Sequence, residues 1–205
     1  GLASEFLETI QPFRYPRSLG ERVVREIAAM KRRIETEVVK AGEIDRNVKL
    51  GRGGIREIEF VAQTLQLLEA GRIPFLQDPQ TLSTLQKLVR YKLLPADEAS
   101  ALSQAYCFLR EVEHRLQMED NLQTHTIPTE RKARLRLAAL MGFASLNEFE
   151  AALQQHTGNV RRTYDTLLGS DDREPRQTLP DLAASPGEWR KLLLEHRFRD
   201  ADRAS

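Results

Sequence analysis

Lys49-Leu50-Gly51-Arg52-Gly53-Gly54-Ile55-Arg56-Glu57-Ile58-Glu59-Phe60 is the stretch that decides the fold. Its three glycines lie within four positions, which allows a turn with positive φ or a close backbone approach. The apolar residues after Gly54 predict a helix from about Ile55 to Ala70, with Gly71 as its C-terminal cap. Because this helix is apolar on nearly every side, we expect it at the centre of a helical bundle.

The start of this predicted helix combines backbone donors with charged side chains. The first N–H groups of a helix lack intrahelical partners, so we expect them to point outwards and favour an anion such as phosphate. Arg56, Glu57 and Glu59 interrupt an apolar run. Since a buried charge is costly unless it is paired, these residues must be paired or used in function. Spacing alone favours a simple tight turn into a buried helix, because a short Gly-x-Gly-Gly run is weak evidence of a phosphate site.

The rest of the chain also has helical periodicity, and no segment shows the alternation typical of a strand. Asp78 and Pro79 predict an N-cap and a first-turn proline, and Ser145 with Glu148 predicts a capping box. We therefore expect an all-α bundle of about six or seven helices. The other predicted helices are Ala3 to Ile10, about Val23 to Val38, one begun by Asp78, about Pro95 to Asp120, Thr129 to Met141, and one from Ser145 to Gly169.

Composition narrows the class of protein. The 205 residues are 40% hydrophobic and 30% charged, which is typical of a soluble globular domain. The net charge of +1 argues against a general nucleic-acid binder. The lone Cys107 excludes an internal disulfide and fits a reducing compartment. No apolar run approaches the roughly 20 residues of a membrane span and no signal peptide is visible, so we expect a cytoplasmic protein without membrane or nucleic-acid partners.

Three stretches carry a resemblance to a known family. They are Lys49 to Phe60, Phe108-Leu109-Arg110-Glu111-Val112-Glu113-His114-Arg115-Leu116-Gln117, and Gln123-Thr124-His125-Thr126-Ile127-Pro128. In sequence, order and spacing they resemble the bifunctional glutamine synthetase adenylyltransferase and adenylyl-removing family, which regulates bacterial nitrogen assimilation. The resemblance covers roughly residues 10–170.

The resemblance implies a division of labour between domains. Family members have two halves, each with a nucleotidyltransferase head followed by a helical domain. One half attaches AMP from ATP to a tyrosine of glutamine synthetase, and the other removes it by phosphorolysis, giving ADP. Arg56-Glu57 resembles the de-adenylylating half, whereas the adenylylating half carries Val-Asp there. Since the chain begins inside a predicted helix and lacks the Asp-x-Asp metal pair of the heads, it resembles a fragment that follows the first head.

This organisation predicts four segments. Residues 1–18 would connect to the missing head, residues 19–169 would form the helical bundle, residues 170–184 a linker, and residues 185–205 the start of the next helical segment. Gly169-Ser170-Asp171-Asp172 is superficially similar to a head motif, but it follows a predicted helix and enters the linker. We interpret that similarity as coincidence.

The resemblance also implies candidate site residues near the glycines. We expect the turn to face the head, where it would help to hold nucleotide phosphates, inorganic phosphate or the leaving AMP. Glu57 is a candidate supporting carboxylate that orients a ligand indirectly, and Glu59 is a second. Arg56, Glu59 and Gln63 share a helix face, where a structural ion pair is the alternative. The candidate phosphate-binding residues are Lys49, Arg52, Gly53, Gly54 and Arg56.

A second group of candidates lies on the longest predicted helix and in the loop after it. Arg110, Glu113, His114 and Gln117 share a face, which favours a buried network between helices. His114 as a general acid or base is the less favoured interpretation, because phosphate is already a nucleophile. His125 would either cap the following helix or touch substrate, and the sequence leaves both open.

The resemblance further implies cofactors and partners. Mg²⁺ and ATP or ADP would bind the full-length enzyme, with no metal site in this segment and nothing bound to it alone. The expected partners are glutamine synthetase, the signalling protein PII and the enzyme's own heads. Two alternatives remain: a regulatory module that relays PII or glutamine signals without joining the active site, and the related helical domain of PII uridylyltransferase.

Overall fold

The structure, a computed structural model, describes residues 1–15, 42–120 and 124–168. Within these residues it contains six α-helices and no β-sheet, which confirms the predicted all-α bundle. The predicted helix at about 23–38 and the segments at 170–184 and 185–205 lie outside the described residues. The helices are α1 Leu2–Arg14, α2 Ile55–Glu69, α3 Thr81–Arg90, α4 Ala96–Asp120, α5 Arg131–Leu140 and α6 Leu146–Leu168, with a 3-10 helix at Pro74–Leu76 before α3.

Helix α2 lies at the centre, as its composition predicted. It packs against α3, α4 and α6, while α5 packs against α4 and α6. Burial of these apolar faces removes them from water, which is the main favourable contribution to folding. The fully or almost fully buried residues of α2 are Ile55, Glu57, Ile58, Phe60, Val61, Ala62, Thr64 and Gln66.

The predicted start of α3 at Asp78 is wrong, because the helix begins at Thr81. Asp78 instead organises the loop before the helix: its carboxylate accepts hydrogen bonds from Gln80 N, Ser83 Oγ and Lys87 Nζ. These bonds, above all the one from Lys87, lower the pKa of Asp78 to about 2. An aspartate can therefore mark a helix start while lying outside the capping position.

The remaining helix boundaries follow local chemistry. Helix α1 continues to Arg14, beyond the predicted end at Ile10, and includes Pro12 in its last turn. Gly142 has φ +80° and closes α5 as expected. Ser145 Oγ accepts a 3.2 Å hydrogen bond from Glu148 N, which confirms this bond of the predicted capping box at α6. Among the helices described, none is both long and apolar enough to cross a membrane.

Candidate functional site

The glycine turn, Gly51 to Gly54, is folded tightly beneath the chain that precedes it. Asn47 Oδ1 accepts hydrogen bonds from Lys49 N and Leu50 N, and Asn47 O accepts one from Gly51 N at 2.9 Å. A Cβ at Gly51 would collide with the carbonyl oxygens of Ile44 and Asn47. The turn therefore requires glycine for close packing.

Gly53 joins this turn to α6. Its φ of +70° lies in the left-handed region, which favours glycine. A Cβ there would also collide with the backbone of Thr157, which lies in the middle of α6. Both backbone conformation and space thus exclude a side chain at Gly53.

The expectation that free N–H groups point outwards from the start of α2 is wrong. Gly53 N donates to Glu57 Oε2 at 2.9 Å, and Gly54 N donates to the Gly51 carbonyl at 3.0 Å. Ile55 N and Arg56 N donate to the carbonyls of Val48 and Lys49. Because the preceding loop folds back over the helix start, these donors are already paired. An anion at the helix start would therefore bind to side chains and not to these four N–H groups.

Glu57 is fully buried and braces the turn. Its Oε1 accepts a 2.8 Å hydrogen bond from Arg161 Nη1, which comes from α6. Arg161 also bonds Asp165. Burial by itself lowers the pKa of Arg161, but the charges of Glu57 and Asp165 outweigh it and raise that pKa. Glu57 therefore connects the turn, through Gly53, to α6, through Arg161.

Arg56 and Glu59 form the ion pair that their spacing suggested. Arg56 Nη1 lies 3.0 Å from Glu59 Oε2, and the guanidinium lies over the Phe60 ring, 5.4 Å from its centroid. The Arg56 side chain nevertheless remains 43% exposed. Gln63, on the same face, is exposed and lines a cavity that also contacts the end of α1 and the start of α3.

A second set of contacts, the Glu113 cluster, consists of Lys49, Arg110, Glu113, Gln117 and His125. Glu113 is only 5% exposed. Its Oε2 accepts a 2.6 Å hydrogen bond from Arg110, and its Oε1 lies 3.4 Å from Lys49 Nζ and 3.0 Å from His125 Nδ1. The structure brings Arg110, Gln117 and His125 together around Glu113, whereas His114, the next residue of α4, is exposed.

Electrostatics in the Glu113 cluster leave an excess of positive charge. Burial lowers the pKa of His125, and the charges of Lys49 and Arg110 lower it further against the opposing effect of Glu113. His125 is therefore neutral near pH 7, and two cations face one carboxylate. The side chains of Lys49 and Arg110 remain 37% and 49% exposed.

The three stretches that carry the family resemblance meet in this cluster. Residues 46–48 run antiparallel to residues 125–127: Val48 N donates to the His125 carbonyl at 2.8 Å, and Ile127 N donates to the Arg46 carbonyl at 2.9 Å. Lys49 of the first stretch then reaches Glu113 of the second and approaches His125 of the third. His125 Nδ1 lies 3.5 Å from Gln117 Nε2. The side chain of His125 is thus part of the Glu113 cluster.

The exposed side chains near the turn and the Glu113 cluster suit recognition of an anion. No group of three or more His, Cys, Asp or Glu side chains suited to a metal ion occurs in the part of the chain that the structure describes. Exposed or half-exposed cations lie at Lys49, Arg52, Arg56 and Arg110. Such groups can hold phosphate oxygens through charge-assisted hydrogen bonds.

Sequence reasoning missed the residues of α6 that hold the turn. A buried Glu57 required a cation, but no motif identified Arg161, which is 104 positions away. No feature of the sequence identified Thr157 either, because its contact with Gly53 is made by its backbone. Only packing of α6 against α2 brings these groups together.

The fold and the site define an all-helical domain with half-exposed cations beside a buried glycine turn and a buried glutamate. The model of the family described as GlnD PII-uridylyltransferase matches residues 28–168. The chain belongs to this family. It is therefore a helical domain related to nucleotidyltransferase enzymes of nitrogen regulation.

Proposed function

We propose that this chain is the helical domain of the bifunctional glutamine synthetase adenylyltransferase and adenylyl-removing enzyme, from its de-adenylylating half. It completes the cleft in which a nucleotidyltransferase head transfers AMP from a tyrosine of glutamine synthetase to phosphate, giving ADP and restoring the tyrosine hydroxyl. The observation that carries the proposal is the convergence of all three family-like stretches on Glu113, beside the half-exposed Lys49 and Arg110.

The role of the domain in this cleft is to position and neutralise charge. Nucleotidyl transfer resembles phosphoryl transfer, which depends mainly on positioning and electrostatic stabilisation. Lys49, Arg52 and Arg56 would hold phosphate oxygens with their side chains. Glu59 would orient Arg56 through their 3.0 Å ion pair, and Glu57 would fix the turn from which these cations project. The head would supply the ligands for Mg²⁺ and bind the nucleotide.

A second candidate function is that of the helical domain of PII uridylyltransferase. The family match over residues 28–168 favours it, because the description of that family refers to PII uridylyltransferase. The Arg-Glu-Ile-Glu-Phe run and the Gln-Thr-His stretch favour the adenylyltransferase. A third reading, a regulatory module that relays PII or glutamine signals, requires two states that differ in affinity for their partners.

The test uses the full-length enzyme and glutamine synthetase carrying AMP. Release of ADP is measured with phosphate present for the wild type, for Arg56→Gln and for the control Arg90→Gln, which changes an exposed arginine at the end of α3. We expect Arg56→Gln to slow ADP release about tenfold, the effect of losing one charge-assisted contact, and Arg90→Gln to retain the wild-type rate. Thermal melts verify that each variant is folded.

The other outcomes separate the alternatives. A folded Arg56→Gln enzyme with the wild-type basal rate and an altered response to glutamine or PII would assign the regulatory role. The same wild-type preparation is incubated with UTP and PII. Uridylyl-PII formation without ADP release from modified glutamine synthetase would assign the uridylyltransferase function and contradict our proposal.

A further inference from the structure

A cavity outside the Glu113 cluster is lined by three arginines from separate parts of the chain. It has a volume of about 220 Å³ and lies among the loop at 45–48, the glycine turn, α5 and α6. Arg46 comes from the loop, Arg52 from the turn and Arg134 from α5. The carboxylates on its wall are Asp45 and Glu150. Three guanidinium groups thus face two carboxylates, which leaves the cavity positive.

These arginines keep donors available. Arg52 is exposed and makes no hydrogen bond or ion pair with the described residues. Arg46 uses Nη1 for a 2.6 Å bond to the Ile127 carbonyl. Arg134 uses Nη2 for its 2.7 Å ion pair with Glu150, while its Nε is buried and has no hydrogen-bond partner among the described residues. Because that Nε is shielded from the surface, the donors open to a bound acceptor are the Arg52 guanidinium and the terminal nitrogens of Arg46 and Arg134 that these bonds leave unused.

We propose that this cavity binds a small tetrahedral oxyanion: inorganic phosphate, or the phosphate end of a small ester. A guanidinium fork matches phosphate oxygens in a bidentate manner. Arginines from three segments suit an acceptor with oxygens on every side, whereas a planar carboxylate is satisfied by one fork. Gln154, which also lines the cavity, supplies a further amide donor, whereas the Thr157 hydroxyl already donates to the Leu153 carbonyl.

The size of the cavity favours inorganic phosphate over a nucleotide. A volume of about 220 Å³ has room for several water molecules. That space accommodates phosphate with part of its hydration shell, whereas the base and ribose of a nucleotide would have to project outside. The inference depends on the proposed function in one respect, because Arg52 belongs both to this cavity and to the proposed cleft. Its test measures phosphate binding, which does not require enzymatic activity.

The experiment measures hydrogen–deuterium exchange of the full-length enzyme with inorganic phosphate, using chloride to keep the ionic strength constant. A parallel arm replaces phosphate with AMP. We expect phosphate to slow exchange in peptides covering 42–54 and 150–157. Arg52→Gln and Arg134→Gln should each raise the apparent Kd about tenfold, the effect of losing one charged hydrogen-bond partner. Arg90→Gln should leave the Kd unchanged.

Each outcome has a defined meaning. Protection by phosphate alone assigns an inorganic phosphate site, and equal protection by AMP with the same arginine dependence assigns a phosphate-ester site. No protection of these peptides, or protection that persists in folded Arg52→Gln and Arg134→Gln, would overturn the inference. An enzyme that releases ADP without this protection would retain the proposed function and lose the site. Protection in an enzyme that releases no ADP would support the phosphate site and contradict the proposed function.

Discussion

Glu57 and Arg161 lie 104 positions apart in the chain and form a 2.8 Å hydrogen-bonded ion pair that joins the glycine turn to α6. Glu57 is fully buried, and its other carboxylate oxygen accepts the N–H of Gly53. One carboxylate therefore fixes both the conformation of the turn and its position against α6. The loop that carries Lys49 and Arg52 depends on this pair for its geometry.

Loss of either member of this pair should be destabilising, and loss of the cation more so. We expect Arg161→Met to lower the free energy of unfolding by about 3 kcal/mol, because it removes a cation from beside the fully buried Glu57 carboxylate. Glu57→Gln should lower it by about 1 kcal/mol, because Arg161 is partly exposed and keeps its ion pair with Asp165. Urea unfolding of the chain measures the change. Arg162→Met, an exposed neighbour on α6, should change it by less than about 0.5 kcal/mol. Equal losses in the Arg161 and Arg162 variants would show that the pair contributes little.

Gly53 and Gly142 provide a matched comparison of space and backbone conformation. Both have positive φ, at +70° and +80°, but a Cβ at Gly142 would meet nothing within 4 Å. We expect Gly142→Ala to cost about 1 kcal/mol for the left-handed conformation alone. Gly53→Ala should cost about 3 kcal/mol, because the collision with the Thr157 backbone adds an overpacking cost. Denaturant unfolding compares the two, and similar costs would contradict the close packing of the turn on α6.

The pKa of His125 should report the charge of Glu113. Glu113 raises that pKa, while burial, Lys49 and Arg110 lower it. Glu113→Gln should therefore lower the pKa of His125 further below its ordinary value, as measured by NMR titration of the histidine ring. Glu111→Gln, which removes an exposed carboxylate from the same helix, should leave it unchanged. A raised or unaltered pKa in Glu113→Gln would show that the carboxylate does not act on His125.

Acid should weaken the packing of α6 on α4 through His156. Its ring stacks on Phe108 with centroids 4.5 Å apart, and burial lowers its pKa below the ordinary 6.5. The unfolded chain then binds its proton at a higher pH than the folded chain, so stability falls as pH drops through about 6.5 towards the folded pKa. When the pH falls from 7.5 to 5, we expect the free energy of unfolding to decrease less for His156→Phe than for the wild type.

The control for this prediction is His114→Gln, which changes an exposed histidine. It should retain the pH dependence of the wild type. Part of that dependence should also persist in His156→Phe, because the pKa of His125 is lowered as well. If the free energy of unfolding depends on pH identically in the wild type and in His156→Phe, then His156 has the same pKa in the folded and unfolded states.

The sequence by itself determined the helical class and most helix boundaries. Periodicity and capping are local, so the limits of α2 and α4 and the cap at Ser145 follow from neighbouring residues. Local chemistry also predicted that Arg56, Glu57 and Glu59 need partners. It failed at Asp78, where the carboxylate organises a loop through Lys87 instead of capping α3 at that position.

Only the tertiary structure decided which distant groups meet. The N–H donors at the start of α2 are paired because the chain before the turn folds back over the helix start. No local sequence pattern encodes this. Packing of separate segments places Arg161 beside Glu57, and it places Lys49 and His125 beside Glu113. A sequence shows that a buried charge requires a partner, whereas packing alone selects that partner, because many cations are equally suitable along the chain.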